Sequence, residues 1–248
     1  MKRALFASLV ATLLSLTASG VAAPQLTTQI TENNRLTLGA EWFRETIRNQ
    51  TAGVKGEGSW GGVVAGYDYK EAGALYGGGQ VRWSRGRVGG QCGNDWNVVG
   101  RIGYGSNLGA PSVWYFAPYT GVGYERQRIR FVTPSKVYFW YIPVGILLDC
   151  HFTPQFLVSV KAELGFIAGA HYRRDNPSFK VAFSNRMRYE VELPITYIFT
   201  AFTATHLDIS LVPFWHGWRT GQKIRGTLTA PQLVVDMYGA RLDMGLRF

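Results

Sequence analysis

The sequence predicts an all-β fold: a closed, antiparallel, up-and-down transmembrane β-barrel of about ten strands, with eight possible if the two weakest candidates merge. Three observations carry this expectation. The composition departs from that of a soluble domain, since of 248 residues 46% are hydrophobic, 14% aromatic and only 17% charged, where about 25% charged is usual. The N-terminus carries an export signature with no spanning helix behind it. The remainder divides into segments of alternating hydrophobicity, most of them long enough to cross a thin hydrocarbon layer at a tilt.

From the N-terminus, Lys2 and Arg3 precede an apolar run from Ala4 to Leu16, followed by small residues at Ala18, Ser19, Gly20, Val21, Ala22 and Ala23. This layout reads as a secretory signal peptide over residues 1–22, which leaves 23–248 as the barrel. The apolar run is shorter than the roughly 20 residues a membrane helix needs. Without Lys2 and Arg3, 24 basic residues face 16 acidic ones, a net charge of about +8. The most apolar later stretch, Phe139 to Leu148, is broken by Pro143 and Gly145, so it suits a strand better than a membrane helix.

Strand candidates follow at 35–47, 59–70, 74–85, 95–105, 113–126, 137–149, 155–170, 186–198, 207–218 and 232–248. The fourth sets Trp96, Val98, Gly100, Ile102 and Tyr104 against Asn97, Val99, Arg101 and Gly103. The seventh sets Phe156, Val158, Val160, Ala162, Leu164 and Phe166 against Ser159, Lys161, Glu163 and Gly165. The last alternates Tyr238, Ala240, Leu242, Met244, Leu246 and Phe248 with Gly239, Arg241, Asp243, Gly245 and Arg247. Each has the period of two that gives a strand one greasy and one polar face. Phe248, as an aromatic final residue, resembles the C-terminal signal through which barrel assembly machinery engages bacterial outer-membrane barrels. Trp42, Trp60, Trp83, Trp96, Trp114, Tyr138, Trp215 and Trp218 lie near segment ends, as two interfacial girdles require. With short turns in the periplasm, the longer connections 48–58, 86–94, 127–136, 171–185 and 219–231 fall outside the cell.

Two short motifs point to a family. The run Pro118-Tyr119-Thr120-Gly121-Val122-Gly123-Tyr124, then Tyr141-Ile142-Pro143-Val144-Gly145, resembles the PY-G-GY … Y-P-G pattern of a widespread, largely uncharacterised group of bacterial outer-membrane β-barrel proteins. Val212-Pro213-Phe214-Trp215 and Tyr238-Gly239-Ala240-Arg241-Leu242 are similar to that group's final hairpin. The resemblance implies the barrel fold and export to the outer membrane; it carries no catalytic residues.

The candidate site residues form two sets. Inward positions collect Glu41, Arg82, Arg101, Glu125, Lys161, Glu163, Arg188, Glu190, Glu192, Asp208, Arg241 and Asp243. Nearly balanced charges in so narrow a barrel are expected to cross-link and fill the lumen, or else to line a narrow, gated passage. The second set is basic and lies outside or at outer strand ends: Arg85, Arg87, Arg126, Arg128, Arg130, Lys136, Arg173, Arg174, Arg219, Lys223 and Arg225, with Lys55, Lys180 and Arg186 beside them. Only Glu57, Asp95 and Asp175 are expected nearby as acids. Arginine pairs bidentately with phosphate and sulfate, which points to lipopolysaccharide phosphates or another acidic ligand.

Enzymatic constellations are weak. His206, Asp208 and Ser210 share one strand face, but neighbours on one face stand roughly 6.6 Å apart, too far to relay a proton. His216 lies toward the outer rim beside Trp215 and Trp218, where a lipid A-modifying enzyme would want a histidine, yet Gly217, Trp218 and Arg219 follow it in place of a His-x-Ser-Asn pattern. No metal, cofactor or phosphate-loop motif is present, and Cys92 and Cys150 are expected at opposite barrel ends, too far apart for a disulfide. The expectation is therefore a non-enzymatic outer-membrane component whose basic extracellular loops contact lipopolysaccharide or acidic ligands. A narrow passive channel is the alternative, and a lipid A-modifying enzyme or glycan-binding adhesin the third. The partners expected are outer-membrane lipids, lipopolysaccharide and the assembly machinery; nucleic acid is not, because basic loops alone do not read bases.

Overall fold

The computed structural model describes residues 34–108, 114–129, 135–175, 178–182, 184–199, 205–221, 223–225 and 228–248. The segment 1–22, expected to be a signal peptide, lies outside them. Ten strands build the barrel: β1 (Asn34–Asn49), β2 (Val54–Lys70), β3 (Ala74–Val88), β4 (Gln91–Leu108), β5 (Trp114–Ile129), β6 (Ser135–His151), β7 (Phe156–Asp175), β8, β9 (His206–Gly221) and β10 (Leu233–Arg247). Strand β8 runs in three segments, Ser178–Ala182, Ser184–Glu192 and Ile195–Phe199. All three hold one register against β7, with Ala182 opposite His171, Met187 opposite Phe166 and Ile195 opposite Val158. Pro194 interrupts the ladder because it has no N–H to donate; its carbonyl still accepts from the Ser159 amide at 2.8 Å.

Every strand pairs antiparallel with its neighbours in sequence, and β10 returns to β1 from Arg35 opposite Arg247 through Asn49 opposite Leu233. Asn34 and Phe248 exchange backbone hydrogen bonds of 3.2 and 3.1 Å at the seam. Closure satisfies the ladder without an edge, as hydrocarbon demands of any spanning sheet. The ten-strand reading, and not the eight-strand one, is what the chain adopts. A small ribbon pairing Lys223–Arg225 with Leu228–Ala230 sits in the β9–β10 connection. That connection, the longest, lies at the end away from Asn34 and Phe248, which is therefore the extracellular end.

The alternating pattern has two regimes along the strands. In the periplasmic two thirds, apolar side chains point outward: Leu38 is 66% exposed, Met244 65% and Trp42 65%. On β10 the outward series from Tyr238 to Phe248 covers ten residue steps, which at about 3.4 Å each and about 40° of tilt gives ~26 Å, the height of an outer-membrane hydrocarbon band. Trp42, Trp83, Trp96, Tyr124, Trp140, Tyr189, Trp215 and Tyr238 ring its outer margin on eight of the ten strands. Trp83 and Trp96 lie 6.4 Å apart, Tyr124 and Trp140 5.0 Å, and Tyr189 and Trp215 4.7 Å between ring centroids.

Above that ring the sense inverts. Ile47, Val88, Val137, Tyr172, Trp218 and Val235 turn inward into a buried cluster with Phe43, Trp60, Phe139 and Phe214, while Arg44, Lys55, Arg85, Arg87 and Arg126 face outward. The wall there meets water, so its core must be inside, as in a soluble barrel. Because the alternation runs on, the strands extend into all five stretches expected to be long outer loops, least into 219–231. The β1–β2 and β3–β4 turns shrink to a few residues, with Gly53, Gly89 and Gly90 at positive φ. Of the basic groups expected outside, Arg85, Arg87, Arg126, Arg128, Lys136, Arg173 and Arg219 therefore stand on barrel wall.

The glycine motif has a packing reason. Gly123 on β5 faces Tyr141 on β6, and Tyr119 on β5 faces Gly145 on β6. A Cβ at Gly123 would fall inside the Tyr141 ring, and one at Gly145 would stand 2.6 Å from the Tyr119 ring. Each tyrosine thus lies flat across the glycine of the adjoining strand, a close approach only glycine allows.

Candidate functional site

All twelve residues expected in the lumen are buried within the barrel, and they cluster in layers. At mid-height Arg188, 0% exposed, takes three carboxylates: Nε donates to Glu125 at 3.0 Å, Nη1 to Glu163 at 2.7 Å and Nη2 to Glu190. Its guanidinium lies 4.6 Å from the Tyr141 ring centroid, the ring that Gly123 seats. Arg101 Nε shares Glu163 at 2.8 Å, and Lys161 bridges Glu190 and Glu192 at 3.4 and 3.1 Å. Arg241 joins Glu192 at 2.9 Å to Asp243 at 2.8 Å. Each of the three guanidinium nitrogens thus donates to a carboxylate, the kind of pairing under which a buried charge is tolerated.

Arg82 forms the outer margin of this layer, 3.4 Å from Asp95 and 3.9 Å from Glu41. Its Nη2 also lies 2.9 Å from His216 Nδ1. Since guanidinium only donates, Nδ1 accepts, which places a neutral imidazole's proton on Nε2, 3.4 Å from Glu125. His216 is 0% exposed, beneath the apolar cluster. It is therefore a lumen residue and not the rim histidine of the sequence reading, because its strand parity turns it inward. Asp95 is likewise inward and buried, and leaves the outer surface without that acid.

Toward the periplasm, Asp208 receives Arg35 at 2.6 Å and Arg247 at 2.7 Å, and Lys70 meets Asp149 at 2.7 Å. Ser210 accepts from Arg35 at 2.7 Å and bonds Thr196 at 2.7 Å, so Asp208 and Ser210 are both held by other partners. Between this layer and the Arg188 layer is a polar cavity of about 60 Å³, lined among others by Asp68, Tyr76, Arg101, Lys161, Glu192, Arg241 and Asp243. That is room for on the order of five water molecules. Among the described residues no group of three His, Cys, Asp or Glu side chains is placed to hold a metal ion. Cys92, near the outer end of β4, and Cys150, near the periplasmic end of β6, are both free.

The second candidate site is on the outside. Cross-strand register sets Arg85, Asn94, Arg128, Lys136 and Arg173 in one row across β3 to β7. The row beneath, nearer the membrane, reads Trp83, Trp96, Arg126, Tyr138 and His171. Tyr138 and His171 stack at 5.2 Å. Among the described residues, Arg85, Arg87, Arg126, Arg128 and Arg173 make no salt bridge, and the buried Arg128 Nε has no hydrogen-bond partner. The β1–β2 flank differs: Glu57 pairs with Lys55 at 2.5 Å and Arg44 at 2.7 Å. The hydrogen bonds from Lys55 and Arg44 hold its carboxyl below the usual carboxylate range. Arg219, on β9, lies 5.9 Å from the Tyr189 ring centroid, away from the basic row. Arg130 and the side chains of Arg174, Lys223 and Arg225 lie outside the described residues. Phe248 is 46% exposed at the base of the lipid-facing wall.

The inward apolar layer is what sequence reasoning missed. Its signal was present in Ile47, Val88 and Val137, which sit on the polar parity of their strands.

No family model and no curated protein matches the chain. Among solved structures it is similar to the outer membrane protease OmpT from Escherichia coli, at 10% identity and a TM-score of 0.50 over 90% of this chain and 98% of that one. It is also similar to the translocator domain of the autotransporter NalP from Neisseria meningitidis, at 11% identity and a TM-score of 0.46 over 100% and 98% of the two chains. The chain folds as an integral outer-membrane β-barrel.

Proposed function

We propose that the protein is a closed, non-enzymatic component of the outer membrane that acts through its basic outer wall, engaging lipopolysaccharide or another acidic ligand. The observation that carries this reading is a contrast in charge satisfaction. Inside, the Arg188 layer is paired group to group and capped by a buried apolar cluster rich in aromatics. Outside, five arginines on one flank meet no carboxylate among the described residues. Like charges set opposite one another in a sheet repel, so such a row is stabilised by an anion that bridges it. His216, which the sequence reading put at the rim where a lipid A-modifying enzyme would want a histidine, is instead sealed in the lumen under the aromatic cluster, which supports the non-enzymatic reading.

The test is single-channel recording of the purified protein in planar bilayers across a salt series, with mass analysis of lipid A after incubation. Silence from inserted protein and unchanged lipid A are expected. Reproducible conductance steps altered by Glu190→Gln would select the channel instead, and a lipid A mass change abolished by His216→Asn would select an enzyme.

A further inference from the structure

The basic row could meet a soluble polyanion or a lipid, and the wall beneath it favours the lipid. Two rows below the Trp83–Trp96 pair, past the outward Val81–Val98 pair, the outward face of β3 and β4 has a pair of glycines. Register sets Tyr67, Gly79, Gly100 and Val122 in one row. A Cβ at Gly100 would meet nothing within 4 Å, and one at Gly79 only the Val99 carbonyl at 3.8 Å. Tyr67 and Val122, 40% and 57% exposed, stand on either side. The result is a shallow furrow in the hydrocarbon-facing surface, set below the Val81–Val98 pair and continued on β3 by Gly77.

Charge, aromatics and furrow thus follow one another down a single flank, in the order of a phosphorylated headgroup, an interfacial ester or sugar region, and an acyl chain. With neighbouring strands about 4.8 Å apart, Arg85 and Arg128 bracket Asn94 at a spacing one phosphate can bridge, and Arg126 stands one step nearer the membrane. Arginine's planar fork meets phosphate bidentately, and a partly desolvated wall strengthens that contact. A water-soluble glycan would gain nothing from a groove in the belt.

We infer that the β3–β7 flank holds one phosphorylated, multiply acylated lipid of the lipid A class, its phosphates on Arg85, Arg126, Arg128 and Arg173 and an acyl chain in the furrow at Gly79 and Gly100. This rests on the reading of the outer wall as an anion-binding surface and commits it to a lipid on one side of the barrel.

The test is native mass spectrometry of the purified protein in detergent, titrated with bis-phosphorylated lipid A, its dephosphorylated form, inorganic phosphate and a sulfated glycan of the heparin type. One bis-phosphorylated lipid A per barrel is expected, resistant to phosphate and to the glycan. R126Q/R128Q should weaken it by about tenfold or more, as loss of charge-assisted bonds implies. Gly100→Leu, which fills the furrow without touching the interior, should also weaken it, and Arg44→Gln, on the flank already neutralised by Glu57, should not. All three changes lie on the outer wall, and unheated gel migration reports that each barrel is closed. Displacement by the sulfated glycan with no effect of Gly100→Leu would overturn the lipid assignment while leaving an anion-binding wall. Failure of the unaltered protein to retain any of the anions would overturn both.

Discussion

At the scale of single residues, Arg188 decides how the interior can be filled. Three strands bring Glu125, Glu163 and Glu190 to it, and a fourth brings the Tyr141 ring that Gly123 makes room for. Desolvating four charges is costly, and the cost is offset only while all four stay together. Removing one partner of a buried pair typically costs about 3–5 kcal/mol. Arg188→Met, close in length but uncharged, is expected to lower stability by at least that amount, read as a shift of the urea unfolding midpoint in detergent. Unaltered stability would mean that water already reaches the three carboxylates. The position and sign of most of these groups could be read from strand parity. Which carboxylate meets which cation could not, since Arg101 and Glu163, or Lys70 and Asp149, are far apart in sequence and meet only across the closed lumen.

At the scale of strands, the same alternation serves two solvents. Met244, near the middle of the lipid-facing part of β10 from Tyr238 to Phe248, faces hydrocarbon; Arg87, near the outer end of β3, faces water. An arginine on the lipid face near the bilayer midplane costs about 2–4 kcal/mol, falling to roughly 0–1 near the interface. Met244→Arg is expected to destabilise the barrel by an amount in that upper range, and Arg87→Leu to change it by less than about 0.5 kcal/mol, as for most surface substitutions. Equal effects in lipid vesicles would contradict the placement of the belt. The sequence showed the dyad in nearly every strand but not where it changes meaning. An inward valine at the outer end and an outward valine in the belt look alike until the height of the membrane is known.

At the scale of the whole molecule, stability depends on closure. β10 is hydrogen-bonded on both sides, to β9 and to β1, so a break in it exposes backbone polar groups to hydrocarbon on a strand that cannot re-pair elsewhere. Leu242→Pro, opposite Leu211 on one side and Ala40 on the other, removes a ladder donor at mid-membrane at a cost of several kcal/mol. Loss of the compact, fast-migrating form on an unheated SDS gel is the expected result; its retention would show that closure does not rest on the β9–β10–β1 ladder. The sequence by itself determined the class of fold, the inward placement of the charges and the basic character of the outer end, because a period of two in a bilayer leaves only a closed barrel that satisfies its own backbone; closure of the structure chose ten strands over eight. Only the tertiary structure decided that the outer loops are wall, that His216 and Asp95 are sealed inside, and that the unpaired arginines gather on one flank above a furrow. Those are consequences of register, and register is set when distant strands close on one another.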